Sequence, residues 1–97
     1  MDYKEMLQRY LTEEGKLKQY PSKKPLRMMA LAYITEHFER EKKYKEKEVN
    51  EIIMNWLSFS DHELIRRELI VYGFMNRMRD GSAYWVAEIQ PGLHLDL

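Results

Sequence analysis

The chain has 97 residues, of which 44% are hydrophobic, 12% aromatic and 33% charged, enough for one modest core and too few for two. Sixteen basic residues balance sixteen acidic ones, which excludes attraction to a polyanion through net charge and leaves only local patches for that task. Cysteine is absent, so disulfides, thiolate metal sites and thiol nucleophiles are excluded together.

The start, MDYKEM, has no apolar run behind a basic segment, and no stretch is long enough to span a bilayer. A cytoplasmic protein with no membrane partner is the expectation. Tyr3, Met6, Leu7, Tyr10 and Leu11 recur at helical spacing and predict an amphipathic helix over residues 2–11. Its apolar face, with Tyr3, Leu7 and Tyr10, serves either to pack on its own domain or to pair with a second copy as a homodimer. Residues 12–21, with Gly15, several charges and Pro21, read as a linker. The predicted division is therefore an N-terminal helix and linker over 1–19, a domain over 20–88 and a tail over 89–97.

Ser22 suits an N-cap ahead of a helix from Lys24 to Phe38. That helix is apolar almost all the way round, as the buried centre of a small domain would be. Lys23, Lys24 and Arg27 give its start a local positive charge. Residues 39–48 alternate in sign and read as a solvated loop, with Tyr44 placed to pair with a later hairpin. Val49, Ile52, Ile53, Trp56 and Leu57 predict a helix from Lys47 to Leu57, with Trp56 as a core anchor. Met28, Met29 and Met54 are expected to fill the core.

Ser60 and Glu63 have the spacing of a capping box for a third long helix, Asp61–Tyr72, and Gly73 is placed to end it. At 100° per residue, Leu64, Ile65, Leu69, Val71 and Tyr72 gather on an inner face, and Glu63, Arg66, Arg67 and Ile70 on an outer one. Glu68 falls in the inner arc and is expected to be partly buried against an arginine or a backbone amide. Two runs, FMNRMR and SAYWVA, flank Asp80-Gly81, which predicts a hairpin closed by a type I′ turn. Pro91-Gly92 marks a tail in which Leu93, Leu95 and Leu97 alternate with polar residues.

Helix, strand, two helices and a hairpin make the plan of a winged helix-turn-helix, in an α+β, mainly α chain with an extra N-terminal helix. In that plan Arg66 and Arg67 reach a DNA major groove, Arg77 and Arg79 hold phosphates, and Lys23, Lys24 and Arg27 support the backbone. Replacing Arg66 and Arg67 together is then expected to remove DNA affinity and leave stability nearly unchanged. A large loss of stability would make them structural partners of Glu63 and Glu68. The competing reading is a protein-interaction or dimerisation module, for which Ile70 on the outer face is the natural contact.

Catalysis finds no support. His37, His62 and His94 stand without a second ligand at helical spacing apart from the acidic residues that any charged chain supplies, and His37 reads as a helix-end residue that complements the dipole. No serine lies on a glycine-flanked elbow and no glycine loop is set to cradle phosphate. No catalytic residue, metal site or cofactor is assigned.

The segments QYPSK (19–23), Tyr44 with EKEVN (46–50), IRREL (65–69) and RDGSAYW (79–85) resemble a bacterial family, the domain of unknown function numbered two thousand and eighty-seven. The resemblance covers most of the chain from Tyr20 onward. It implies a winged-helix-like fold and a regulatory setting, since such domains occur alone or appended to ArsR-type helix-turn-helix transcription regulators. It transfers no catalytic residue. One departure is Lys45, where the family usually carries Thr or Ser; loss of that cap costs the second long helix about 1 kcal/mol.

Overall fold

The computed structural model describes residues 2–94. Within them the order is α1 (Tyr3–Leu7), a 3-10 turn (Gln8–Tyr10), α2 (Lys24–Thr35), α3 (Glu46–Asn55), α4 (His62–Val71), β1 (Met75–Arg77) and β2 (Tyr84–Val86). The chain is mainly helical with a small antiparallel sheet, an α+β arrangement.

Helix α1 is capped by Asp2, whose carboxylate accepts from the Lys4 amide. The helix predicted over 2–11 is shorter, because Leu11 turns extended and pairs with Leu17. What reads as a linker is therefore part of the fold. Leu17 is 0% exposed, its amide donates to the Trp56 carbonyl at 2.7 Å, and its carbonyl accepts from Ser58 at 2.8 Å. Burying a segment requires that its backbone groups find partners, and the residues just after α3 supply them.

Helix α2 starts after Lys23 rather than Ser22, so no side chain caps it, and it stops at Thr35, short of Phe38. Leu26, Met29, Ala30, Leu31 and Ile34 bury the centre of the domain as expected. His37 lies beyond the helix, stacked on Trp56 with ring centroids 3.7 Å apart and met edge-on by Tyr33. Burial pushes its pKa below the usual histidine value, while the Tyr33 and Ile34 carbonyls at the end of α2 pull it the other way. The ring thus sits at the helix end as expected, and desolvation outweighs its interaction with the terminal carbonyls. Trp56 is half-buried, less than a core anchor, and Met54 at 47% exposure is no core filler.

Helix α3 has Lys45 at its N-cap with no side-chain acceptor. Glu48 compensates in part, accepting from the Lys45 amide at 2.8 Å. Tyr44 bridges antiparallel to Tyr84, extending the two-stranded sheet as expected.

The Ser60–Glu63 capping box does not form. Helix α4 begins one residue later than that box requires, with Asp61 as an N-cap that makes no side-chain bond and apolar Leu64 three residues on. At the other end Gly73 takes φ +81°. The amides of Gly73 and Phe74 return to the Ile70 and Leu69 carbonyls, the paired bonds of a Schellman motif. Ile65 and Leu69 are buried, but Val71 is 71% exposed. Two residues past Leu69 is a rotation of about 200°, so both cannot face the core. Glu68 is half-buried as expected, yet its partner is the Tyr20 hydroxyl at 3.0 Å.

In the hairpin, Met75, Asn76 and Arg77 pair with Val86, Trp85 and Tyr84. The turn is not type I′. Gly81 alone has positive φ there, its amide bonding the Met78 carbonyl at 2.9 Å, and Met78 bonds Ala83 beyond it. That register leaves residues 79–82 as a four-residue loop built on a type I turn. The carboxylate of Asp80 accepts from the Ser82 amide. In the tail, Gln90 donates to the Phe74 and Ala87 carbonyls and Leu93 packs on the core. Leu95 and Leu97 lie outside the described residues.

Candidate nucleic-acid interface

Three of the arginines singled out by sequence come together. Helix α4 supplies Arg66, Arg67, Ile70 and Val71 to a cleft of about 380 Å³, the hairpin closes it with Arg77 and Tyr84, and Glu46 enters from α3. The arginines are not equivalent. Arg66 has a side chain only 17% exposed. Its Nη1 donates to Asn50 Oδ1 at 2.6 Å, and its Nε lies 4.0 Å from Glu46 Oε1. The same Glu46 oxygen accepts from the buried Tyr84 hydroxyl at 2.8 Å. Glu46 and Asn50, four residues apart on α3, thus hold α4 and β2 to one helix face. Arg66 is an anchor; its partners are neither Glu63 nor Glu68.

Arg67, next in sequence, is exposed and makes no ion pair among the described residues. Arg77 and Arg79 are exposed as well, on β1 and in the hairpin loop. Arg67 and Arg77 therefore face the cleft without an ion pair among the described residues, over a floor that Ile70 and Val71 make apolar. On the hairpin, the Asp80 carboxyl is held below its usual range first by hydrogen bonds from Ser82 and then by the Arg77 charge.

The basic start of α2 divides in the same way. The Arg27 Nε donates to the Pro21 carbonyl at 2.9 Å and its guanidinium lies over the Tyr20 ring, so it pins the segment before α2. Burial and the adjacent Glu68 carboxylate push the Tyr20 hydroxyl above its usual range, keeping it a neutral donor. Lys23 is exposed, and exposed Lys24 reaches over the Tyr72 ring at 5.6 Å. Tyr72 follows Val71 in the chain, so Lys24 approaches the C-terminal end of α4.

The N-terminal contact residues turn inward. Leu7 is 0% exposed within its own chain, Tyr3 donates its hydroxyl to Glu36, and half-buried Tyr10 packs on the core. Lys4 joins Glu36 at 2.9 Å, so α1 docks against the end of α2. Ile70 is half-buried between core and cleft. Sequence reasoning missed Glu46, Asn50, Tyr84 and Val71; the i, i+4 spacing of Glu46 and Asn50 was the signal on the page.

Among the described residues no cluster of three or more His, Asp or Glu could hold a metal ion, and no helix is long and apolar enough to cross a membrane. No curated protein and no solved structure matches the chain. A family model does match, over residues 16–86, a span that runs from the Leu17 pairing through α2, α3 and α4 to the end of β2. The chain belongs to DUF2087, an uncharacterized protein family conserved in bacteria.

Proposed function

We propose that this chain is a winged helix-turn-helix domain that binds double-stranded DNA, with α4 in the major groove and the hairpin as the wing. The element order supports the fold: α2, the Tyr44 bridge, α3, α4 and a hairpin whose second strand pairs with both Tyr44 and β1. The observation that carries the function is the convergence of Arg67 and Arg77, both exposed and without an ion pair among the described residues, on one cleft between helix and hairpin, where the Glu46 carboxylate is already engaged by Arg66 and Tyr84. A cleft of that kind suits the ridge of a phosphodiester strand, with a guanidinium on each side. Arg79 in the hairpin loop, and Lys23 and Lys24 at the start of α2, add contacts farther along the backbone. On this proposal the chain acts in bacterial transcription control, either alone or beside an ArsR-type regulator.

The test is a salt titration of binding to random-sequence duplex. Wild-type affinity falls with salt by a slope of about 0.9 per phosphate neutralised. Arg67→Ala and Arg77→Ala each lower that slope by about one. Absence of binding at low salt refutes the reading. One observation favours a second reading: Val71 is 71% exposed beside half-buried Ile70, an apolar contact that a protein partner would cover. Under that reading the domain captures a protein through the α4 face and shows no salt-dependent DNA affinity.

A further inference from the structure

We infer that Val71 reads the C5-methyl group of thymine, making a thymine beside the held phosphate part of the preferred site. The inference rests on the DNA reading above and adds to it which base the cleft selects. An exposed valine is out of place on a helix that faces only phosphates, because it offers them neither charge nor a hydrogen bond. Val71 nonetheless lines the same cleft as Arg67 and Arg77, with Ile70 behind it packed on the core. The arginines bring a phosphodiester strand to this point. In the major groove a base edge meets the protein through donors, acceptors or, for thymine alone, a methyl group. That methyl lies on the side of the base nearest its own strand's backbone, so a side chain flanking phosphate-holding arginines meets it first. Valine has no polar atom with which to read any other base.

The experiment starts from a pool of random-sequence duplexes carried through selection with the full chain. Each thymine of the enriched duplex is then replaced singly by uracil, which removes the methyl and changes nothing else. The expected result is a loss of about fourfold at one thymine, the factor for a single buried methyl-sized group. That loss disappears in Val71→Ala, whose affinity for the thymine duplex falls to that of wild type on the uracil duplex. Because Val71 stands in solvent, this variant folds as the wild type does. If the enriched duplex is bound equally with thymine or uracil at every position, the methyl reading is overturned and the DNA reading stands. If selection enriches nothing and duplex is not bound at low salt, the DNA reading fails and the methyl reading with it.

Discussion

Replacing Arg66 by alanine should destabilise the domain, whereas replacing Arg67 should not, although the two are neighbours of the same type. The Arg66 guanidinium makes a 2.6 Å bond to Asn50 from a side chain that is 17% exposed. A hydrogen bond from a charged donor contributes about 1.5–3 kcal/mol. The 4.0 Å contact with half-exposed Glu46 adds at most about 0.5 kcal/mol in that geometry. Asn50 is not fully buried, and water will partly replace its lost partner, so the lower part of that range applies: about 2 kcal/mol, or about 10 °C in Tm for a domain of this size. Arg67 has no ion pair to lose among the described residues, and its change stays within about 0.5 kcal/mol. Urea denaturation followed by tryptophan fluorescence reads both values, with an unchanged m showing that Cm reports stability. A cycle with Asn50→Ala should give a coupling of about 1 kcal/mol or more. Equal losses for Arg66→Ala and Arg67→Ala, or additivity with Asn50→Ala, would refute the anchor. Replacing Arg66 and Arg67 together should therefore cost about as much stability as Arg66→Ala alone.

Leu17→Ala should cost about 3 kcal/mol in the same assay, as for a fully buried leucine; a loss under about 1 kcal/mol would mean that the segment before α2 is a linker after all. Gly15 and Gly73 both have positive φ, at +84° and +81°, but an added Cβ at Gly15 would lie 3.0 Å from the Tyr33 hydroxyl, while at Gly73 the nearest atom is 4.0 Å away. Gly73→Ala should cost about 1 kcal/mol from backbone strain. Gly15→Ala should cost about 2–3 kcal/mol, because it also displaces the 2.6 Å bond from Tyr33 to the Gly15 carbonyl. Thermal melts of the two variants make the comparison. Burial lowers the His37 pKa, so the unfolded chain takes up a proton first as pH falls. Its contribution to stability is therefore present above about 6.5 and is lost as pH drops through the folded value. His37→Gln should flatten that part of the stability–pH profile, and an unchanged profile would refute the assignment.

The elements were legible wherever one local pattern decided them. Apolar spacing located the four helices, Gly73 ended α4, and the runs around Asp80-Gly81 marked the hairpin, because each signal acts over a few residues. Leu17 was not legible: a single leucine between Lys16 and Lys18 has no periodicity, and its burial comes from the return of the chain after α3. Val71 was misassigned for a geometric reason, since an apolar residue two places after a buried one points away from it on a helix. The difference between Arg66 and Arg67 lay further out of reach. It depends on which flank of α4 meets Glu46 and Asn50, and only the packed helices decide that.

That orientation is also what relates the parts of the candidate site to one another. Tyr84 on β2, Glu46 and Asn50 on α3 and Arg66 on α4 form one polar chain across three elements. Directional bonds of this kind fix relative placement more sharply than apolar contact does. The cleft between Arg67 and Arg77 consequently has its width set by residues that need touch no ligand. A single hairpin resting on hydrophobic contacts alone would let those two guanidiniums drift, and each drift would cost binding as ordering entropy when a ligand arrived. Holding Tyr84 to α3 removes that cost in advance. If the cleft holds a phosphodiester strand as proposed, Arg66 serves recognition through the frame it builds for its neighbour and not by reading the groove itself.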